Sequence, residues 1–254
     1  MKRTTVVTLL CWLLILSLTA LAGAAEGKKR ILVFGDSNTF GYIEDAGGVV
    51  SRLPLDTVWP GKMAALLGED YEVVVEGLSG RTTRLDCPVR SGTGLIPGVG
   101  MNGAAYLPAA LSSHMPLDLV VIMLGTNDLC KDHQQSAQNI AESLAELASI
   151  VRKAEWQRRT HFAVPQVLIV CPPKLHLVKS RYSAMFEGSL AKSEALPGLA
   201  QPLVEAAGAR FFNAAAVVPF AEGADEIHLT PENHAALAAA VAEEVKKALA
   251  GTHP

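Results

Sequence analysis

Five apolar runs punctuate the chain: "RILVFG" (30–35), "YEVVVEG" (71–77), "LDLVVIMLG" (117–125), "QVLIVCPP" (166–173) and "ARFFNAA" (209–215). Their apolarity is continuous rather than alternating, which predicts strands covered on both faces. Helical patterns separate them. "TVWPGKMAALLG" stops at Gly68, and "SAQNIAESLAELASIVRKA" repeats its apolar residues at helical spacing. A Leu/Ala-rich stretch fills 189–207, and a last helix is expected over about 231–249. Alternating strands and helices imply a parallel sheet with right-handed crossovers. The expectation is a single α/β domain over 28–250, a three-layer α/β/α sandwich on a five-stranded parallel sheet, flavodoxin-like in plan. The Gly-rich stretch "VRSGTGLIPGVGMNG" (89–103) lacks a period and reads as a long surface loop. No internal repeat or linker interrupts this pattern.

The first 25 residues stand apart. Lys2 and Arg3 precede an uncharged stretch from Thr4 to Ala25, greasiest over "VVTLLCWLLIL". Small residues follow, with A-x-A sites at Ala20/Ala22 and Ala22/Ala24. That order describes a secretory signal peptide, so an exported protein, periplasmic or secreted, is expected. An uncleaved anchor is the alternative, because the stretch is long enough to span a bilayer. The formal charge is −3; losing Lys2 and Arg3 takes 22 basic residues to 20 against 25 acidic. No dense Lys/Arg run follows residue 30, so no nucleic-acid partner is expected, and contact with a membrane is expected only through the leader. Cys87, Cys130 and Cys171 would remain after cleavage, an odd number at spacings that match no zinc site.

Four polar motifs lie just past a strand or just before the last helix: "GDSNTFG" (35–41), "EGLSGRTT" (76–83), "GTND" (125–128) and "DEIHLTPEN" (225–233). In a parallel sheet these loops meet at one rim. Ser37 at a strand-to-helix turn is a candidate nucleophile, although Ser37 or Asp36 could equally serve as a helix cap. His228, three residues after Asp225, is the candidate base: a carboxylate on Nδ1 would leave Nε2 free for the Ser37 proton. His234 is its nearest rival, but it falls inside the helix with no placed acid. The Asn127 amide is a neutral donor suited to an oxyanion, and the backbone of Gly80 can approach one closely. Each of these also has an ordinary reading as turn chemistry.

These motifs resemble the four blocks of the SGNH hydrolases, or GDSL-type esterases. The resemblance implies a triad of Ser37, His228 and Asp225, with an oxyanion hole from Ser37 N–H, Gly80 N–H and the Asn127 side chain. "EGLSGRTT", "NGAAYLPAAL", "PLDLVVIMLGTND" and "FEG" are similar to the arylesterase and acyltransferase branch, whose members hydrolyse small acyl esters. Some members also transfer acyl groups, and some form homo-oligomers. Two features depart from the pattern: Asn38 replaces the usual Leu after the nucleophile, and the 89–103 loop is longer than in compact members. The implied ligand is a small-molecule acyl ester, with no cofactor and no metal. Phe40, Tyr42, Trp59 and Ile227 are candidates to line its pocket, Trp59 and Phe40 with packing as the alternative. Carbohydrate O-acetyl esters and lysophospholipids are alternative substrates. In another class, a non-catalytic module would grip phosphate at the first helix; it leaves Asp225 and His228 without a task.

Overall fold

The structure, a computed structural model, describes residues 27–250 apart from 46, 87–89, 92, 93, 96 and 97. The apolar stretch expected to be a signal peptide, Cys87 and part of 89–103 lie outside the described residues. In chain order come β1 (Lys29–Gly35), α1 (Ser37–Phe40), the hairpin β2 (Tyr42–Glu44) and β3 (Val50–Arg52), α2 (Trp59–Leu67) and β4 (Tyr71–Gly77). Then follow the short pair β5 (Arg90–Ser91) and β6 (Gly94–Leu95), α3 (Gly98–Met101), α4 (Gly103–His114) and β7 (Leu119–Met123). The chain closes with α5 (Ala137–Lys153), β8 (Gln166–Cys171), α6 (Leu190–Ala206), β9 (Arg210–Asn213) and α7 (Pro231–Ala250).

The main sheet has five parallel strands in the order β4-β1-β7-β8-β9. Alternate residues of β1 face opposite layers. Ile31 and Val33 pack with Trp59 and Met63 of α2 and with Leu237 and Val241 of α7. Leu32 and Phe34 pack with Leu107 and Leu111 of α4, Leu144 of α5 and Leu196 of α6. Each fully buried side chain of this kind contributes roughly 1.5–3 kcal/mol. The stripe Ile140, Leu144, Leu147, Val151 keeps α5 on the sheet, so Leu144→Ala alone would cost roughly 2–5 kcal/mol. At the start of α5 the Ser136 hydroxyl accepts from Asn139 N–H at 3.1 Å.

The five-stranded sandwich agrees with expectation, with three local differences. β4 and β9 are edge strands and only partly buried. The apolar runs at 117–125 and 209–215 overshoot their strands, which are shorter. Residues 98–103 are not loop: α3 and the start of α4 occupy them, and α4 was hidden by Pro108 and the run of small residues. This helix forms because its first N–H groups find acceptors. Asn102 Oδ1 accepts from Ala105 N–H, while Gly103 and Ala104 donate to the carbonyls of Thr82 and Thr83. Pro108 removes one later N–H, a tolerable loss in a helix docked by Leu107 and Leu111.

After β1 the chain goes to β4 on one side, then crosses to β7 on the other. Such a reversal opens a crevice at the carboxyl ends of the strands. Gly35 pairs with both Gly77 and Met123, so three loops leave the sheet at one level.

Candidate active site

The Ser37 turn follows from its neighbours. The Asp36 side chain accepts from Asn38 N–H at 3.0 Å and starts the single-turn helix α1, which ends at left-handed Gly41. A Cβ on Gly35 would stand 2.1 Å from Thr39 Oγ1, so only glycine lets the helix fold back on the strand end. Burial pushes the Asp36 carboxyl up to about 6, against the Asn38 N–H bond and the nearby His228 and Arg81.

His228 arrives from 191 residues away. Its Nε2 lies 2.8 Å from Ser37 Oγ, and its Nδ1 lies 2.5 Å from Asp225 Oδ2. The other oxygen, Asp225 Oδ1, accepts from the backbone N–H groups of Ile227 and His228. Burial acts to raise the Asp225 carboxyl, but its bond to His228, that ring's charge and the two N–H groups hold it below the usual range. The loop is held from outside as well. Glu226, at φ 59, accepts through its carboxylate from Lys179 and Ser180 N–H, and the Ser180 hydroxyl donates to Asp225 O. Thr230 then caps α7, its Oγ1 accepting from Asn233 N–H.

On the opposite side stand Gly80 and Asn127. Gly80 has φ +88, a conformation an L side chain rarely adopts. Among the described residues neither Ser37 N–H nor Gly80 N–H donates to a protein acceptor. Asn127 Nδ2 donates one hydrogen to Arg81 O at 3.0 Å, which leaves its second hydrogen for a ligand. Behind them, Arg81 is buried with its guanidinium 4.0 Å from the Phe34 ring centroid. Its Nη1 donates to the carbonyls of Gly35 and Glu76, tying this loop to the strand that precedes Ser37. Burial draws its pKa down to about 10, against the pull of Glu76, Tyr106 and Asp36. Asp128, also buried, accepts from both N–H and Oγ1 of Thr83 and joins the Asn127 and Gly80 loops.

Of the pocket candidates, Tyr42 reaches the site: its ring centroid is 4.1 Å from that of His228. Its hydroxyl and that of Tyr182 donate to buried Glu44, which also pairs with Arg181. Ile227 is buried in the core and offers its carbonyl to Asn38 Nδ2. Trp59 is not brought to the pocket; its side chain is fully buried under α2 and its backbone N–H donates to His234 Nδ1. Phe40 turns to Arg52, whose guanidinium covers its ring at 4.0 Å. His234 is buried, and burial lowers its pKa to about 4, so it stands neutral. Sequence reasoning missed Arg81, Glu44 and Ser180 as supports. A charge sitting directly after Gly80 was the one visible signal, for Arg81. Among the described residues no three His, Cys, Asp or Glu side chains cluster as metal ligands.

Comparisons with known proteins bear on this arrangement. The profile of the GDSL-like lipase/acylhydrolase family matches residues 33–236. An arylesterase of Vibrio mimicus is 30% identical over 169 residues, covering 65% of this chain and 66% of that protein. A carbohydrate acetylesterase from Sinorhizobium meliloti is 38% identical, with TM-score 0.79, over 87% of this chain and 99% of that one. The aryl esterase of M. smegmatis is equally similar, 38% identical with TM-score 0.79, over 87% of this chain and 100% of that one. The chain belongs to the GDSL-like lipase/acylhydrolase family, the SGNH hydrolases.

Proposed function

We propose that this carboxylic ester hydrolase cleaves small acyl esters by two-step acyl transfer through Ser37. His228 Nε2 takes the Ser37 proton as Oγ attacks the ester carbonyl, and Asp225 stabilises the imidazolium that forms. The N–H groups of Ser37 and Gly80 and the free Asn127 hydrogen receive the oxyanion. The proton then passes from His228 to the departing alcohol oxygen. In the second step water gives its proton to His228 and attacks the acyl carbon, releasing the acid and restoring Ser37. The observation that carries this reading is the relay Asp225–His228–Ser37, at 2.5 and 2.8 Å, assembled from opposite ends of the chain. A phosphate-gripping module without catalysis does not agree with the family.

The likeness to both an aryl esterase and a carbohydrate acetylesterase supports short acyl groups on either kind of alcohol. Purified protein should release p-nitrophenol from p-nitrophenyl acetate, and Ser37→Ala and His228→Ala should each abolish release. A fluorophosphonate should label Ser37 stoichiometrically; labelling at Ser79, or equal hydrolysis by all variants, would refute the assignment. A series of p-nitrophenyl esters of increasing chain length, run beside an acetylated oligosaccharide, separates aryl, lipid and sugar esters.

A further inference from the structure

Asn38 is where the chain leaves the GDSL pattern, and its side chain is buried. It lies next to Ser37, yet both ends of its amide reach the loop that carries His228. Nδ2 donates to Ile227 O at 3.3 Å, and Oδ1 accepts from Leu229 N–H at 3.0 Å. The two peptide groups are those on either side of His228. The Ile227 carbonyl and the Leu229 N–H both belong to buried residues, and neither of these two atoms has another partner among the described residues. Apart from the His228–Ser37 contact itself, the loop's other bonds, to Asp225, Gly223 and the Ser180 segment, fix its internal shape but do not tie it to the turn that carries Ser37. The Asn38 amide does, in the manner of one more rung of a sheet. A leucine here would leave one buried donor and one buried acceptor unpaired.

We propose that Asn38 is a positioning residue that sets His228 in register with the Ser37 hydroxyl, through paired hydrogen bonds to the backbone on both sides of the histidine. The inference rests on the esterase reading, because it gives Asn38 a role in bringing base to nucleophile. Displacement of a base by about an ångström costs up to ~10²-fold in rate.

The test uses the full chain, p-nitrophenyl acetate, and temperatures below each variant's unfolding transition. Asn38→Leu keeps the branched shape but makes neither bond; it should lose about 10–100-fold in kcat with KM within about twofold. Asn38→Asp gives a second, independent readout. When protonated, its hydroxyl donates to Ile227 O while its carbonyl accepts from Leu229 N–H, as the amide does. When ionised, it sets an oxygen against the Ile227 carbonyl. The charged groups around it are Asp36 on the same turn and Asp225 and His228 on the facing loop. The ratio of its kcat to that of the wild type should stand within about threefold at about pH 5.5 and fall at least about tenfold by about pH 8.5. A stabilising role alone would move the unfolding transition but not this ratio. Wild-type kcat in Asn38→Leu, or a flat ratio in Asn38→Asp, overturns the proposal; if the leucine variant does not fold, the ratio decides alone. Should the wild type itself match Ser37→Ala, the esterase reading fails; an active wild type with unchanged Asn38 variants removes only this inference.

Discussion

On the His228 side of Ser37, a buried carboxylate bonds directly to the side chain that touches the hydroxyl; on the Asn127 side, the ionisable groups bond to other parts of the loops. Asp225 touches the imidazole at 2.5 Å, and the imidazole touches the hydroxyl. Across the crevice the groups at hand are a backbone N–H and a neutral amide, while the charges of Arg81 and Asp128 are spent on carbonyls and on Thr83. The difference follows from the chemistry of each side. A base must change its protonation state, so it needs a counter-charge in contact. An oxyanion needs donors already aimed and unable to release a proton, so the charges behind them serve to fix loops.

Breaking the charged side should do the most damage. Asp225→Asn can keep the backbone bonds of Ile227 and His228 but turns an N–H toward Nδ1. That forces the tautomer that donates from Nε2, and kcat should fall about 10⁴-fold, as in other triads. Breaking the neutral side should cost less. Asn127→Ala removes one of three donors, and kcat should fall ~10²–10³-fold with KM nearly unchanged. Steady-state kinetics on both variants checks the ranking; an Asn127→Ala loss equal to that of Asp225→Asn would mean the two sides do not divide the work in this way.

Much of this was legible along the chain because each part of the site is a short motif, at a strand end or just before the last helix. Continuous apolar runs marked the central strands, and Asp225 with His228 at a spacing of three marked the pair that meets Ser37. What was not legible lay in groups brought together by distant backbone. Nothing near Asn38 in sequence says that it will meet residues 227 and 229. The helix α4 was hidden because its start is stabilised by carbonyls of Thr82 and Thr83, not by local propensity. Trp59 drew notice as an aromatic at a helix start, yet the side chain turned inward to fill the core beneath α2. Pocket residues are set by which way a side chain points after packing, and composition carries no record of that.

Asp36 sharpens the comparison at the level of stability, since it is a buried carboxylate that caps the nucleophile turn instead of serving a base. Its folded pKa is raised to about 6 by burial, above the ordinary carboxylate value of 3.8. The folded state therefore holds a proton that the unfolded state has released, so this carboxyl favours the fold below 3.8 and disfavours it as pH rises through 6. The span corresponds to about 3 kcal/mol. Asp36→Asn keeps an oxygen for Asn38 N–H and removes the titration. In urea denaturation it should gain up to about 3 kcal/mol on the wild type at about pH 8 and almost nothing at about pH 4. An equal difference at both pH values would show that the cap carboxyl does not titrate in this window.

The smallest effect should come from His234, six residues beyond His228 and built to the opposite plan. Among the described residues it has no carboxylate partner; Nδ1 accepts from Trp59 N–H at 3.2 Å, and burial lowers its pKa from 6.5 to about 4. His234→Asn at about pH 7.5 should leave kcat within about twofold; its Oδ1 can still accept from Trp59 N–H, so the cost of about 1–2 kcal/mol comes from lost ring packing. The sign then changes with acid. For a histidine whose folded pKa is lowered, the unfolded state binds the proton first, so stability declines as pH falls from 6.5 toward 4. At about pH 5 the wild type has given up roughly 2 kcal/mol to keep this ring neutral, which the asparagine variant does not. Denaturation midpoints of the two proteins should therefore converge or cross near that pH. If the asparagine variant instead loses kcat at neutral pH while its stability holds, His234 contributes to the reaction and the division between the two histidines is wrong.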